Sequence, residues 1–168
     1  MLAYVDRAFT VIRGLVYAIA FIGLWAWIGA WVRRFDSWVP LTLPAWLRPI
    51  GVLVAVAGAL VVAACVGTFV TVGRGTPAPF DPPREFVATG PYRFVRNPMY
   101  LGAAATILGI GLSVPSSALV TLAAAFLLLL HLFVVLHEEP ALERRFGADY
   151  RQYCKSVHRW FVRIPGGK

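Results

Sequence analysis

A chain of 168 residues is one domain by length, but 59% hydrophobic residues against 14% charged ones leave too little polar surface for a soluble globule. The composition describes an integral membrane protein. A formal charge of +8 raises nucleic acid as a partner, yet the arginines flank apolar runs and form no basic face, so membrane lipids are the better counter-charge and no nucleic acid is expected.

Asp6, Arg7 and Arg13 stand among apolar residues without the short apolar core and cleavage site of a signal peptide, so this segment reads as a retained helix. Residues 9–31 are the first expected span; at about 1.5 Å per residue they cross a core of about 30 Å, with Arg13 near enough to the end to snorkel. Residues 33–49 hold Arg33, Arg34, Asp36, Arg48, three prolines and two tryptophans, which suits a loop lying in the interface. Residues 50–72 are the second span, with Gly51, Gly58, Ala63, Ala64 and Gly67 offering small faces for close packing but no Gly-x-x-x-Gly pair.

Residues 73–97 form a long polar connection whose prolines rule out a regular helix, with Phe86 to Thr89 as a short extended piece. Residues 98–114 are a third apolar helix, about 25 Å long and marginal for a full crossing. Pro115 turns the chain, and residues 116–137 are the fourth span. Because the two arms of this hairpin start and finish on one side, Tyr92 to Tyr100 should meet His137, Glu138 and Glu139. Beyond Pro140, Leu142, Phe146, Tyr150, Tyr153 and Val157 recur at helical spacing, as in an amphipathic helix on the membrane surface that Gly147 weakens or kinks.

The expected fold is therefore all-α and membrane-integral: a single domain over residues 1–168, about four transmembrane helices and a C-terminal amphipathic interfacial helix. Thirteen of the sixteen Lys and Arg fall on the side holding both termini, the 73–97 connection and residues 138–168. The positive-inside rule makes that side cytoplasmic, in a cell (inner) membrane.

The chemistry concentrates at Gly90 to Gly102. Asn97 followed by Pro98 reads as a helix cap and first helical residue, and Tyr92, Arg93 and Arg96 gather before the positive end of that helix, where an anionic group is favoured. The same residues also suit a simple anchor, with arginines on headgroups and tyrosines in the aromatic belt. Glu138 and Glu139, at the end of an apolar helix, must be solvated or paired, and they equally suit a terminal cap or a site. Neither a dinucleotide fingerprint nor a phosphate-binding loop is present, and Cys65 and Cys154 lack metal-ligand spacing. His131 and His137 point to different helix faces, so no metal is expected; His131 reads as a packed or hydrogen-bonding residue.

Two motifs carry a resemblance. Gly90-x-Tyr92-Arg93-x-x-Arg96-Asn97-Pro98-x-Tyr100, followed after a helical hairpin by Glu138-Glu139-x-x-Leu142-x-x-x-Phe146-Gly147-x-x-Tyr150-x-x-Tyr153-x-x-x-Val157-x-Arg159, resembles the isoprenylcysteine carboxyl methyltransferases and the related phospholipid methyltransferases. The resemblance implies a membrane methyltransferase that uses S-adenosylmethionine, with Phe86, Val87, Tyr92, Asn97, Pro98, Met99 and Tyr100 lining the cofactor and Glu138 at its polar part. An anionic Glu with aromatic rings suits a cationic sulfonium, and Arg96 with the Asn97 helix start suits its carboxylate. Arg96 and Glu139 are the expected catalytic residues. A carboxylate acceptor needs no base, whereas an amine or thiol would draw on Glu139, His137 or His158.

The chain departs from the family pattern at Asn97, where histidine is usual, at Val134, where prenylcysteine enzymes carry an arginine, and at His158, where proline is usual. Apolar helix faces beside the site favour a lipid-like or amphiphilic acceptor. The reading from another class is a non-catalytic membrane scaffold or partner-binding protein that keeps the fold.

Overall fold

The structure, a computed structural model, describes residues 12, 16, 19–20, 23–39, 41–73 and 85–162. Ten residues of the first expected span, Pro40 and residues 74–84 of the polar connection therefore lie outside the described residues, as do 1–8 and 163–168. Residues 23–32 form helix α1, and Arg33–Trp38 a 3-10 turn. Helix α2 (Leu47–Thr68) continues through a π-helical turn, Phe69–Gly73; after a short 3-10 turn, Gly90–Arg93, come α3 (Pro98–Ser113) and α4 (Ser117–Phe133). A second π-helical turn, Val134–Glu138, joins α4 to α5 (Glu139–Ser156). Among the described residues there is no strand.

Two of these helices are long and apolar enough to cross a membrane: Leu47–Gly73, of 27 residues, and Ser117–Ser156, of 40. Their apolar side chains face outward, as at Leu53, Leu60, Leu128 and Leu129, each more than half exposed. A lipid solvent makes such exposure favourable where water would not. Pro98–Ser113 is apolar but shorter.

Two expected boundaries move, both at prolines. Helix α2 begins at Leu47, not Ile50, since Pro49 falls in the first turn, where a missing N–H donor removes no helical bond. The fourth helix does not stop at His137: it runs on past Pro140, which also sits in a first turn. The π-helical turn before it makes this possible, with the Glu139 N–H reaching back to the Val134 carbonyl, so the backbone widens where a regular turn would press the proline ring on a carbonyl.

Helices α2 and α3 run antiparallel and pack at backbone distance through glycines seven residues apart. Gly51 meets Gly109 and Ser113; Gly58 meets Gly102 and Thr106, where an added Cβ would stand 2.5 Å from the Gly102 carbonyl oxygen. Cys65 continues the same buried line. Gly67, expected on a packing face, has no atom within 4 Å of such a Cβ, and Ala63 and Ala64 are exposed. A seven-residue repeat drifts by only about 20° per step, so these residues stay near one face of the helix.

At the other end of the hairpin, Asp36 ties the 33–38 turn to α4. Its Oδ1 accepts from Ser116 Oγ at 2.7 Å and the Ala118 N–H at 2.9 Å, and its carbonyl accepts from Ser117 Oγ at 3.2 Å. Ser116 caps α4 in turn, accepting from the Leu119 N–H. The expected interfacial loop is thus anchored by a carboxylate at a helix N-terminus, a favourable pairing with the helix dipole. Partial burial pushes the Asp36 carboxyl up, but the Ala118 N–H, the Ser116 hydroxyl and Arg33 outweigh it and hold it below its ordinary value.

Two outcomes are expected in detergent melts. Gly109→Ala should lower stability by about 1–3 kcal/mol, because its Cβ would overlap the Ala55 backbone, whereas Gly67→Ala should be neutral or stabilising by up to about 1 kcal/mol. The Asp36 latch, with a folded pKa below the unfolded one, stabilises above the ordinary carboxylate pKa and loses its contribution as pH falls through the lowered value; Asp36→Asn should flatten that acid limb of the melting profile.

Candidate active site

The site is assembled from the end of α2, the 85–97 connection, the start of α3, the α4–α5 junction and the residues that follow α5. Val87 and Tyr92 are buried with Cys65, and Phe69 and Met99 pack on them. The Phe69 ring meets Tyr92 edge-on at 5.2 Å. Gly90 lets the connection pass α2: its φ is +59°, and a Cβ there would stand 2.8 Å from Thr68 Oγ1. Burial first, then Cys65 and Glu138, holds the Tyr92 phenol well above its ordinary value, so it is a hydrogen-bonding group and not an anion.

The two adjacent glutamates turn to different partners. Glu138 Oε2 accepts from the Tyr100 hydroxyl at 2.8 Å, on the side of Tyr92. Glu139 faces Arg96, at 3.1 Å, and Arg159, whose Nε and Nη2 each donate at 2.7 Å in a bidentate pair. The expected meeting of Tyr92–Tyr100 with the end of the hairpin is therefore present in two contacts, one per carboxylate. Both Glu139 oxygens are occupied by guanidinium groups. Hydrogen bonding to Glu139 in turn holds Arg159 above the ordinary arginine value, a permanent cation at this spot.

Asn97 occupies the cap position of α3, but its side chain makes no capping bond to the helix; Nδ2 donates instead to the Arg159 carbonyl at 3.2 Å. Pro98 is buried as the first residue of α3. The Arg96 N–H donates to the His158 carbonyl at 2.9 Å, and Arg96 Nη1 also donates to Cys154 Sγ at 2.7 Å. Trp160 Nε1 donates to His131 Nδ1 at 3.0 Å, which gives His131 the hydrogen-bonding role expected of it. Residues 157–160 thus form a strap, fastened to the α3 start, to Glu139 and to α4.

Phe86 lies among aromatic residues of α5, with ring centroids 5.2 Å from Phe146 and 5.3 Å from Tyr153, and the Tyr153 hydroxyl donates to the Tyr92 carbonyl at 2.6 Å. Val87, Tyr92, Met99, Tyr100 and Glu138 therefore gather on one side, and Arg96 and Glu139 on the other. Asn97 and Pro98 stand between them, and Phe86 joins the connection to α5. His137 is exposed with its ring 5.8 Å from Phe133, and His158 is exposed and engaged through its carbonyl. Sequence reasoning gave Cys154 no role and Arg159 only a place in the motif. Nothing local marks either residue, because their partners lie roughly twenty and sixty positions away.

The sequence model of the phospholipid methyltransferase family matches residues 47–149. The chain belongs to this family. Its members are membrane methyltransferases, so the buried carboxylate and aromatic groups stand in a protein of that class, at a membrane. No curated protein and no solved structure matches the chain. The family match runs from α2 through the first part of α5; Tyr150, Cys154 and the strap lie beyond it.

Arg159→Ala should destabilise by about 1–3 kcal/mol, more than an exposed pair, because it strips a bidentate partner from a mostly buried carboxylate. In the double variant with Glu139→Ala the loss should be smaller than the sum, as a melting cycle would measure.

Proposed function

We propose that this protein is an S-adenosylmethionine-dependent methyltransferase that transfers a methyl group to a lipid-like or amphiphilic acceptor. In this reading it is a single domain with four spans and an interfacial α5, and its active site faces the cytoplasm from the cell (inner) membrane. The Tyr100–Glu138 hydrogen bond carries the reading most directly, since it joins the two motif segments at one point. The side favoured as cytoplasmic is the one rich in Lys and Arg.

The donor set fits the cofactor. Glu138 offers a carboxylate to a cationic or ammonium group, and Tyr92, Tyr100 and Met99 offer rings and a thioether beside it. Val87 and Pro98 supply apolar wall, and Phe86 braces that wall against α5. Arg96 and the start of α3 at Asn97 suit a carboxylate. When bound, S-adenosylmethionine supplies an electrophilic methyl carbon. The chain's contribution is alignment of the acceptor in line with that carbon and exclusion of water, which can account for much of the rate.

Arg96 and Glu139 are the residues we place nearest the acceptor. For an ionised carboxylate acceptor no base is required; for an amine, Glu139 would have to release one of its two guanidinium partners before taking a proton. The strap makes such a release a local event.

Calorimetric titration of S-adenosylhomocysteine into the detergent-purified protein tests this reading. Binding near micromolar, about −8 kcal/mol, is expected. Tyr100→Phe, which removes a hydrogen bond to a charged group, should weaken it roughly tenfold, and Glu138→Ala further still. Unchanged affinity in variants that melt normally would contradict the placement, and no heat from the unaltered chain would contradict the function.

A further inference from the structure

A cavity of about 430 Å³ opens beside the Arg96–Glu139 pair, bounded by both halves of α5. The bend at Gly147, with φ +52° and ψ −118°, lies between those two halves. In a straight helix Glu143 and Arg151 would be about 12 Å apart along the axis. Here the second half of α5 folds toward the first, and Arg151 Nη1 lies 3.4 Å from Glu143 Oε1. Arg96, Arg151 and Lys155 bring three cations to the wall, against Glu139 and Glu143.

These charges are not equally committed. Glu139 is already matched by its two arginines, whereas the Glu143–Arg151 pair is long and more than half exposed on both sides, so it exchanges readily with another anion. The cavity thus has an excess of cationic donors for an incoming carboxylate or phosphate. Its remaining wall includes Val135, on the same helical stretch as the outward-facing Leu128, Leu132 and Leu136. A ligand seated here has water at one end and apolar helix at the other. Arg151 and Lys155 lie outside the residues matched by the family, so this wall belongs to the part of the chain where its own preference can reside.

We propose that this cavity holds the anionic group, a carboxylate or phosphate, of an amphiphilic methyl acceptor, and that Arg151 and Lys155 are the residues that select it. The assignment to the acceptor rests on the methyltransferase reading above; the anion site does not. Arg96 links the two regions, since it lines the cavity while bonding Glu139, the neighbour of Glu138.

The test uses the full chain in a neutral detergent, with radiolabelled dodecyl phosphate and inorganic phosphate as probes and a parallel S-adenosylhomocysteine titration. Dodecyl phosphate should bind saturably, and the double variant Arg151→Gln/Lys155→Gln should weaken it at least roughly tenfold while leaving S-adenosylhomocysteine affinity unchanged. Glu143→Gln, which frees Arg151, should tighten dodecyl phosphate binding, a gain that misfolding cannot produce. Equal dodecyl phosphate affinity in the double variant would overturn the site. Inorganic phosphate bound as tightly as dodecyl phosphate would overturn the amphiphile. If S-adenosylhomocysteine fails to bind the unaltered chain, the methyltransferase reading falls and the acceptor role with it, while the dodecyl phosphate titration still decides the anion site.

Discussion

Two carboxylates at the end of an apolar helix set the terms for the rest of the molecule. A charge there is costly unless it is paired or hydrogen-bonded, and Glu138 and Glu139, being adjacent, cannot share one partner face. The chain resolves this by bringing a different segment to each. Tyr100 reaches Glu138 from the first turn of α3, and Arg96 with Arg159 enclose Glu139 from the connection and the strap. The pair therefore acts as the point at which separated parts of the sequence are registered against one another.

That registration depends on packing along α3. The glycine contacts at Gly51–Gly109 and Gly58–Gly102 fix α3 against α2 at backbone distance, which sets the height at which Asn97, Pro98 and Tyr100 emerge. The Asp36 latch fixes the opposite end of the hairpin. With both ends held, the widened turn before Pro140 decides the direction in which α5 departs. The strap then closes over the α3 start through two backbone carbonyls, those of His158 and Arg159.

The helical class and the convergence of Arg96–Tyr100 on Glu138–Glu139 were legible in the sequence, because apolar run length and a short hairpin turn dictate them. The packing line was legible in part: Gly51 and Gly58 stood among the small residues expected to pack closely, but nothing set them apart from Ala63, Ala64 and Gly67, since they are seven apart and the familiar small-residue signal is four. Pro49 and Pro140 read as breaks, but position within the first turn decides whether proline ends a helix, and only the backbone shows that position. Asp36, Cys154 and the strap carbonyls escaped for a common reason: each acts through a contact that spans tens of residues and leaves no periodic trace. Asn97 looked like a cap, whose side-chain oxygen accepts from the helix, and instead its Nδ2 donates to the strap, a choice between two roles of the same amide that residue type alone cannot settle.

An experimental structure of the protein with S-adenosylhomocysteine in a lipid nanodisc would test the central claim, that Glu138 serves the cofactor while Glu139 stays paired with Arg96 and Arg159 when the cofactor binds. The expected result is ligand density between Tyr92, Tyr100 and Glu138, with the Arg96–Glu139–Arg159 cluster still in place. Density against Glu139 with Arg159 displaced, or Glu138 turned away from the ligand, would contradict it.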